Sequence, residues 1–337
     1  MYQQIYIRKY GAANVLSFEQ KQEEDTVRPL APDEVNVEVH YSGINFADIV
    51  MRLGFYKDAP PKPFVPGYEF SGVVTEVGAD VKNLKVGDKV YGGSVFGAYS
   101  SEIRVKSWMA IPLPANFSLE EAACLPVAFI TAYASLFEMG RVRTGDKVLI
   151  DCGSGGLGTV SIKMLKAIGA NITGLTSSGS KKSLIESLGA RARTHSEFLQ
   201  DPKDDRYDFI LNSQGGSSIM RHYERLAPTG RIVCLGLSEG IKGGKRDFLA
   251  IAKAAIQMPR FSVIKMFDQN KGVFALNALK LMEDEMTIKK ILEQFSKIEE
   301  WNLKPIIGKI FPAKDVALAH QFIEDRLGQG KILLAWR

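Results

Sequence analysis

The spacing of apolar positions changes once along this chain. Up to about residue 120 it alternates. Glu34–Tyr41 puts Val35, Val37 and Val39 on one face. Ser71–Val77 and Glu102–Val105 are further short runs of strand type, separated by Gly, Pro and Asp. The proline-rich Ala59–Pro66 predicts a loop. Short strands at this spacing predict a compact β-barrel or sandwich.

From about residue 120 the period lengthens. Leu119–Leu125 and Ile130–Glu138 read as helices. Strand and helix patterns then alternate: strand 147–152, helix 156–168, strand 171–176, helix 181–188, strand 207–212, helix 217–226, strand 231–235. That order predicts a parallel, doubly wound sheet. Arg260–Met266 reads as an edge strand. Helices are predicted near 271–283, 285–296 and 315–325, and a closing strand at Ile332–Ala335. The tail breaks the alternation, so it is assigned to the first domain. The expected fold is α/β: a β domain of residues 1–120 and 266–337, and a doubly wound parallel-sheet domain of residues 121–265. Gly87-Asp88-Lys89-Val90 and Gly145-Asp146-Lys147-Val148 echo each other as turns feeding strands, through shared turn chemistry and not a repeat.

Composition narrows the partners. The 337 residues are 45% hydrophobic and 24% charged, as in an ordinary globular protein. The formal charge of +5 is spread along the chain, and no dense Lys/Arg block alternates with aromatics. Nucleic acid is therefore not an expected partner. The N-terminus lacks an apolar core of signal-peptide length. Phe248–Phe267 carries Lys253, Arg260 and Lys265 and is broken by Pro259. A membrane span needs about 20 nearly uncharged residues, so this segment does not qualify. Cys124, Cys152 and Cys234 are odd in number and read as free thiols in a reducing, cytoplasmic setting.

The candidate chemistry centres on Lys147–Gly158, KVLIDCGSGGLG. An apolar strand runs into Gly153, Gly155 and Gly158, and a helix opens at Gly156 and Leu157. Strand, glycine turn and helix form a corner that holds a dinucleotide's pyrophosphate at the helix N-terminus. An NAD site places an acid after the second strand. Here Asn171–Thr176 continues as Ser177-Ser178-Gly179-Ser180-Lys181-Lys182, with no acid. A carboxylate about 4 Å from a 2′-phosphate would cost roughly 1–4 kcal/mol per charge pair, and a lysine would gain a similar amount. Ser178 and Lys181 therefore point to NADP(H), although a lysine pair also suits the start of a solvated helix. Asn212, Leu235, Gly236 and Leu237 end strands at the carboxyl edge, where ligands of open α/β sheets bind.

Several stretches together resemble the medium-chain dehydrogenase/reductase superfamily over essentially the whole chain. They are Gly43–Asp48, Pro66–Val74 (PGYEFSGVV), Leu125–Tyr133, Gly145–Gly158, Thr229–Gly236 and Gly330–Leu334. Within it the chain is most similar to the zinc-independent quinone oxidoreductases (zeta-crystallin-like), in the VAT-1-like branch. The resemblance implies a GroES-like β-barrel domain plus a Rossmann domain, with the active site in the cleft between them. Asn45 and Tyr68 stand where zinc-dependent members have a cysteine and a histidine. A residue near Val127 would be the third ligand, and the four-cysteine lobe is absent, so no metal is expected. Two departures are Lys163, where the signature has glutamine, and Ser196, where relatives have a tyrosine. His195 stands beside that second position, either as its substitute or as an ordinary surface residue.

The resemblance also implies roles. Asn45 would lie near the nicotinamide ribose, or serve as a turn-capping amide. Tyr56 would line the substrate pocket and donate to a carbonyl, or pack on Pro60 and Pro61. Thr131, in a helix start, would bond near the nicotinamide, and Lys331 would reach the cofactor's phosphates. Asp48 reads as structural, and Glu69 as a buried, paired carboxylate. The expected activity is NADPH-dependent reduction of quinones or related α,β-unsaturated carbonyls, by a homodimer. Two alternatives stand beside it. One is an enoyl-thioester reductase with a basic approach at Lys242, Lys245 and Arg246. The other is a low-activity membrane-associated protein touching lipid through residues 240–266.

Overall fold

The computed structural model describes residues 2–21, 29–202, 204–236, 253 and 255–337. Its strands are β1 (Tyr2–Ile7), β2 (Leu16–Lys21), β3 (Glu34–Ile44), β4 (Glu69–Val77), β5 (Lys89–Gly93), β6 (Glu102–Lys106) and β7 (Ala110–Pro112). Then follow β8 (Lys147–Ile150), β9 (Asn171–Thr176), β10 (Arg191–Thr194), β11 (Tyr207–Asn212), β12 (Leu226–Cys234), β13 (Gly272–Ala275), β14 (Ile307–Pro312) and β15 (Lys331–Ala335). The chain divides into two compact units. One holds the residues up to 127 with 304–337, and the other holds 128–236 with 255–303.

In the first unit a seven-stranded sheet runs β14-β15-β3-β4-β5-β7, with β6 also on β3, and β1-β2 forms a separate hairpin pair. All pairs are antiparallel except β14 with β15. The alternation in β3 is explained by one face: Val35, Val37 and Val39 are buried. This unit has the GroES-like fold.

The second unit is Rossmann-like. Its six strands are all parallel, in the order β10-β9-β8-β11-β12-β13. Helices cover both faces of such a sheet, so its strands read as unbroken apolar runs. Val148, Leu149 and Ile150 of β8 are all fully buried. Leu149, Leu175, Ile210 and Ile232 join Phe198 and Tyr223 in one core cluster.

Two sequence expectations are corrected here. Arg260–Met266 is not an edge strand. A helix occupies Val263–Gln269, and the edge strand is β13, inside the segment expected to be helical. Residues 266–303 accordingly belong with the parallel sheet, because β13 pairs with β12, and only 304–337 lies with the first unit. The two echoing turns share their chemistry: Asp88 Oδ2 accepts from the Lys85 N–H at 2.9 Å, and Asp146 Oδ2 accepts from the Arg143 N–H at 2.8 Å. Glycine precedes the aspartate in both because φ is +90° at Gly87 and +85° at Gly145.

One helix of the first unit carries site residues. Phe46–Arg52 follows Asn45, and Asp48 Oδ2 accepts the Asn45 N–H at 2.8 Å. At the other end Arg52 forms an ion pair with Glu324, and both side chains are fully buried. Breaking a buried pair from one side leaves an uncompensated charge and costs about 3–5 kcal/mol. Glu324→Ala is therefore expected to lower the urea midpoint, with the unfolding free energy falling by a margin of that order. An unchanged midpoint would show that the pair does not hold the helix.

Candidate active site

The glycine corner forms at the carboxyl end of β8. The helix Gly156–Ala167 starts after Gly155, which has no side chain to cap it, so the first-turn N–H groups face outward without an intrahelical acceptor. The glycines differ in what they permit. A Cβ on Gly158 would sit 2.0 Å from the Cys152 carbonyl oxygen, so the helix packs on the turn only without it. A Cβ on Gly155 would meet only that oxygen, at 3.5 Å. Gly155 thus faces open space, where a pyrophosphate can approach the backbone. Gly153, Gly155, Gly156, Leu157 and Gly158 are brought together in one corner.

The next strand flanks it. β9 pairs with β8, and Ser154 Oγ lies 3.0 Å from Thr176 Oγ1. Ser178 is half-buried, and its Oγ lies 2.9 Å from Ser180 Oγ. Lys181 ends the turn Gly179–Lys181 and is only 7% exposed. Lys182 pairs with Glu197 at 3.0 Å. No carboxylate stands between Thr176 and Glu186.

Asn212 is buried at the end of β11, and its amide is committed. Its Nδ2 contacts Ser218 Oγ at 2.9 Å and His222 Nδ1 at 2.8 Å, and its Oδ1 accepts the Gly215 N–H at 2.9 Å. The expectation that this side chain binds cofactor is corrected: it holds its own loop. The Leu235 N–H donates to the Asn212 carbonyl at 2.9 Å, and Gly236 beyond it is exposed. Leu237 lies outside the described residues, as do Lys242, Lys245 and Arg246. Thr131 is half-buried and sits near the end of the helix Pro126–Tyr133, not at its start.

Sequence reasoning passed over Asp151, an acid closing the apolar run of β8. Its carboxylate accepts from the Ser213 N–H at 2.9 Å, Ser213 Oγ at 2.7 Å and the Gln214 N–H at 3.2 Å. Burial pushes it up to about 6.

In the first unit, Asn45, Glu69 and Lys331 form a polar knot. Lys331 Nζ donates to Asn45 Oδ1 at 2.6 Å and pairs with Glu69. Asn45 Nδ2 donates to Glu69 Oε1 at 2.8 Å, and the Val127 N–H donates to Glu69 Oε2 at 2.9 Å. Asn45 thus uses its side chain on this knot. Gly43 makes room for it, since a Cβ there would lie 2.3 Å from Glu69 Oε1. A catalytic zinc does not fit. The Lys331 ammonium already occupies the oxygens a cation would need, and among the described residues no group of three or more His, Cys, Asp or Glu side chains could hold a metal.

Tyrosines lie in the same unit. Tyr56 is half-buried and lies close enough to Tyr68 to help hold that phenol neutral. Tyr68 is buried, packs on Phe96 with centroids 5.4 Å apart, and has the Met51 thioether 3.6 Å from its hydroxyl. Burial, with the Asp48 charge, raises its pKa far above the ordinary tyrosine range, so it stays neutral. Only its place at the lost histidine position marked it in the sequence. Tyr99 donates to Asp48 Oδ2 at 3.2 Å and lies 3.2 Å from His320 Nε2.

Two family models match: the alcohol dehydrogenase GroES-like domain over residues 31–115 and the zinc-binding dehydrogenase over residues 188–334. The synaptic vesicle membrane protein VAT-1 homolog of Danio rerio is 30% identical over 341 residues, spanning 99% of this chain and 70% of its own length. The quinone oxidoreductase-like protein 2 of Rattus norvegicus is 29% identical over 323 residues, 91% of this chain and 86% of its own. The crystal structure of Escherichia coli quinone oxidoreductase complexed with NADPH superposes with a TM-score of 0.83 at 24% identity, covering 99% of each chain. Among the described residues one helical run, Leu119–Met139, is long and apolar enough to cross a membrane, but 67% of its 18-residue apolar window is buried.

Burial pushes Asp48 up to about 7, against the Asn45 N–H and the Lys331 charge, which pull it down. A carboxyl raised in the folded state binds its proton more tightly there than in the unfolded chain. Its stabilisation is complete below about pH 4 and is lost as pH rises through 7. Asp48→Asn should flatten the decline of the urea midpoint between pH 4 and 8. The same slope in both proteins would refute the assignment.

Proposed function

The chain belongs to the quinone oxidoreductase and VAT-1-like family of medium-chain dehydrogenase/reductases and is an oxidoreductase, and from that premise we propose that it is an NADPH-dependent, zinc-independent reductase of quinones and related α,β-unsaturated carbonyls. The observation that carries the reading is the conjunction of an open glycine corner with a hydroxyl pair and an Asn–Lys–Glu knot in which a zinc ion does not fit. Support for NADPH over NADH comes from the absence of a carboxylate after β9 and from the hydroxyls of Ser177, Ser178 and Ser180. The related Escherichia coli enzyme was solved with NADPH.

When bound, the nicotinamide supplies a hydride to the conjugated acceptor. The chain's residues do the rest. The helix N-terminus at Gly156–Gly158 neutralises the pyrophosphate. Asn45, fixed by Lys331 and Glu69, lies beside the nicotinamide ribose, and Gly236 offers backbone to the carboxamide. Tyr56 donates its proton to the substrate oxygen as charge develops there. The neutral Tyr68 lies beside it, with its hydroxyl 3.6 Å from the Met51 thioether. The Tyr56 phenolate formed is then stabilised by the neutral Tyr68 and regains its proton from solvent. Three free thiols accord with a cytoplasmic location.

Steady-state NADPH oxidation with a quinone and with a 2-alkenal tests the reading. Turnover is expected with at least one, and with NADPH preferred over NADH. Tyr56→Phe should lower kcat by about 10²–10³, as for loss of one well-aimed donor. Tyr68→Phe should lower kcat about tenfold, one charge-assisted hydrogen bond, with KM unchanged. Turnover no higher than background with both acceptors would sink the reading.

The proposal includes a homodimer. β13 ends its sheet, Phe274 on it is 40% exposed, and the preceding helix exposes Val263 (80%), Ile264 (75%) and Phe267 (80%). Apolar side chains at a sheet edge are the surface a second copy would cover. Val263→Glu with Phe267→Glu should convert a dimer to a monomer in light scattering. A monomeric wild type that floats with anionic vesicles would assign the patch to a membrane instead.

A further inference from the structure

A cavity of about 690 Å³ opens in the second unit, away from the glycine corner. Its position follows from the sheet. Arg206, Arg225 and Lys271 each precede the first residue of a strand, β11, β12 and β13 respectively, and all three line the cavity. The strands are parallel, so these residues share the amino edge. The cofactor corner, Asn212 and Leu235 lie at the carboxyl edge.

The lining is cationic. Arg221, Arg260 and Lys265 add three more positive charges, and Glu224 supplies the only carboxylate on the lining, which gives a net charge of +5. The whole chain's formal charge is also +5, so the rest of the protein sums to zero. The inner cations serve the fold in part. Arg206 Nη1 donates to the Glu224 carbonyl at 2.7 Å, Lys271 Nζ to the Tyr223 carbonyl at 3.1 Å, and Arg225 Nη2 to the Phe198 and Asp201 carbonyls at 2.9 and 2.8 Å. Carbonyls are partial charges and do not neutralise them. Burial and the neighbouring Arg206 hold the Lys271 ammonium below its ordinary range, which marks crowded positive charge. Arg260 and Lys265 are exposed at the rim.

The floor is aromatic. Tyr223 and Phe261 stack at a tilt with centroids 5.0 Å apart, and Phe198 is buried beside them. An apolar, partly aromatic floor under convergent charges is the usual make-up of a small-molecule site, and such sites hold roughly 300–1,000 Å³. We propose that this amino-edge cavity is a second ligand site, separate from the cofactor and substrate sites, for a nucleotide-sized polyanion with a flat apolar body. The body lies on Tyr223 and Phe261, and the anionic groups lie among Arg206, Arg260, Lys265 and Lys271.

ATP is a suitable probe, titrated calorimetrically with and without saturating NADPH. One ATP site should persist at saturating NADPH, with affinity falling as salt rises. Arg260→Glu with Lys265→Glu, both at exposed side chains, should weaken that site at least tenfold and leave NADPH oxidation in the absence of ATP unchanged. Failure of ATP to bind at saturating NADPH would overturn the proposal, as would binding that survives the double reversal. Neither outcome depends on which carbonyl the enzyme reduces, so the proposed activity stands or falls separately.

Discussion

The second unit depends on one close contact, the backbone of Gly158 against the carbonyl of Cys152. A single carbon added at Gly158 would lie 2.0 Å from that oxygen, so the helix sits where it does only because nothing projects from it. This closeness brings the helix N-terminus to the carboxyl edge of β8 and keeps Val160, Ile162, Met164 and Leu165 in the core. Two further features follow. β8 is covered so completely that its three apolar residues lose all exposure, and the turn leaves Gly155 facing open space. Asp151 fastens the same point sideways, since its carboxylate takes the N–H groups of Ser213 and Gln214 beyond β11. Tight packing and an open backbone are thus one constraint here.

The first unit is held differently. The helix Phe46–Arg52 is pinned at both ends by buried charge: Asp48 gathers the N–H groups of Asn45 and Gly67 and the Tyr99 hydroxyl, and Arg52 meets Glu324. Buried pairs are weak contributors to net stability because desolvation offsets attraction. Their value here is positional. They fix Asn45 against Glu69 and Lys331 and set Met51 beneath Tyr68. The Lys331 ammonium closes this knot, and in the proposed reaction polarisation of a carbonyl falls to neutral hydroxyls.

What could be read from the sequence followed the strength of the local pattern. β8, β9 and β11 were legible because a sheet covered on both faces needs unbroken apolar runs. The glycine corner was legible because its spacing reflects a steric demand. The region 260–275 was misread for a physical reason. Val263, Ile264 and Phe267 form a short apolar run of strand type, yet they belong to a helix whose apolar face is exposed. The true strand, Gly272–Ala275, is two half-exposed residues followed by two exposed ones, without alternation. Among the site residues, Asn45 and Lys331 could be named, but not their joint use of Glu69. Asn212 showed a polar residue at the right edge, while its partners Ser218 and His222 lie one helical turn apart and became visible only with the loop folded. Tyr68 was noticed for what it replaces, and its closeness to Tyr56 depends on a loop the sequence does not specify.

The two edges of the parallel sheet complete the argument. At the carboxyl edge the chain presents helix N–H groups, hydroxyls and glycine backbone, all of which attract anions without a formal charge. At the amino edge the preceding helices end, and their last carbonyls require donors. Arg206, Arg225 and Lys271 meet that need and explain three cations. Arg221 bonds Ser217 at the start of its own helix, and Arg260 and Lys265 come from the 260–265 segment. A fold that required only helix caps would stop at three. The excess, gathered over an aromatic floor, is the charge that the proposed ligand meets.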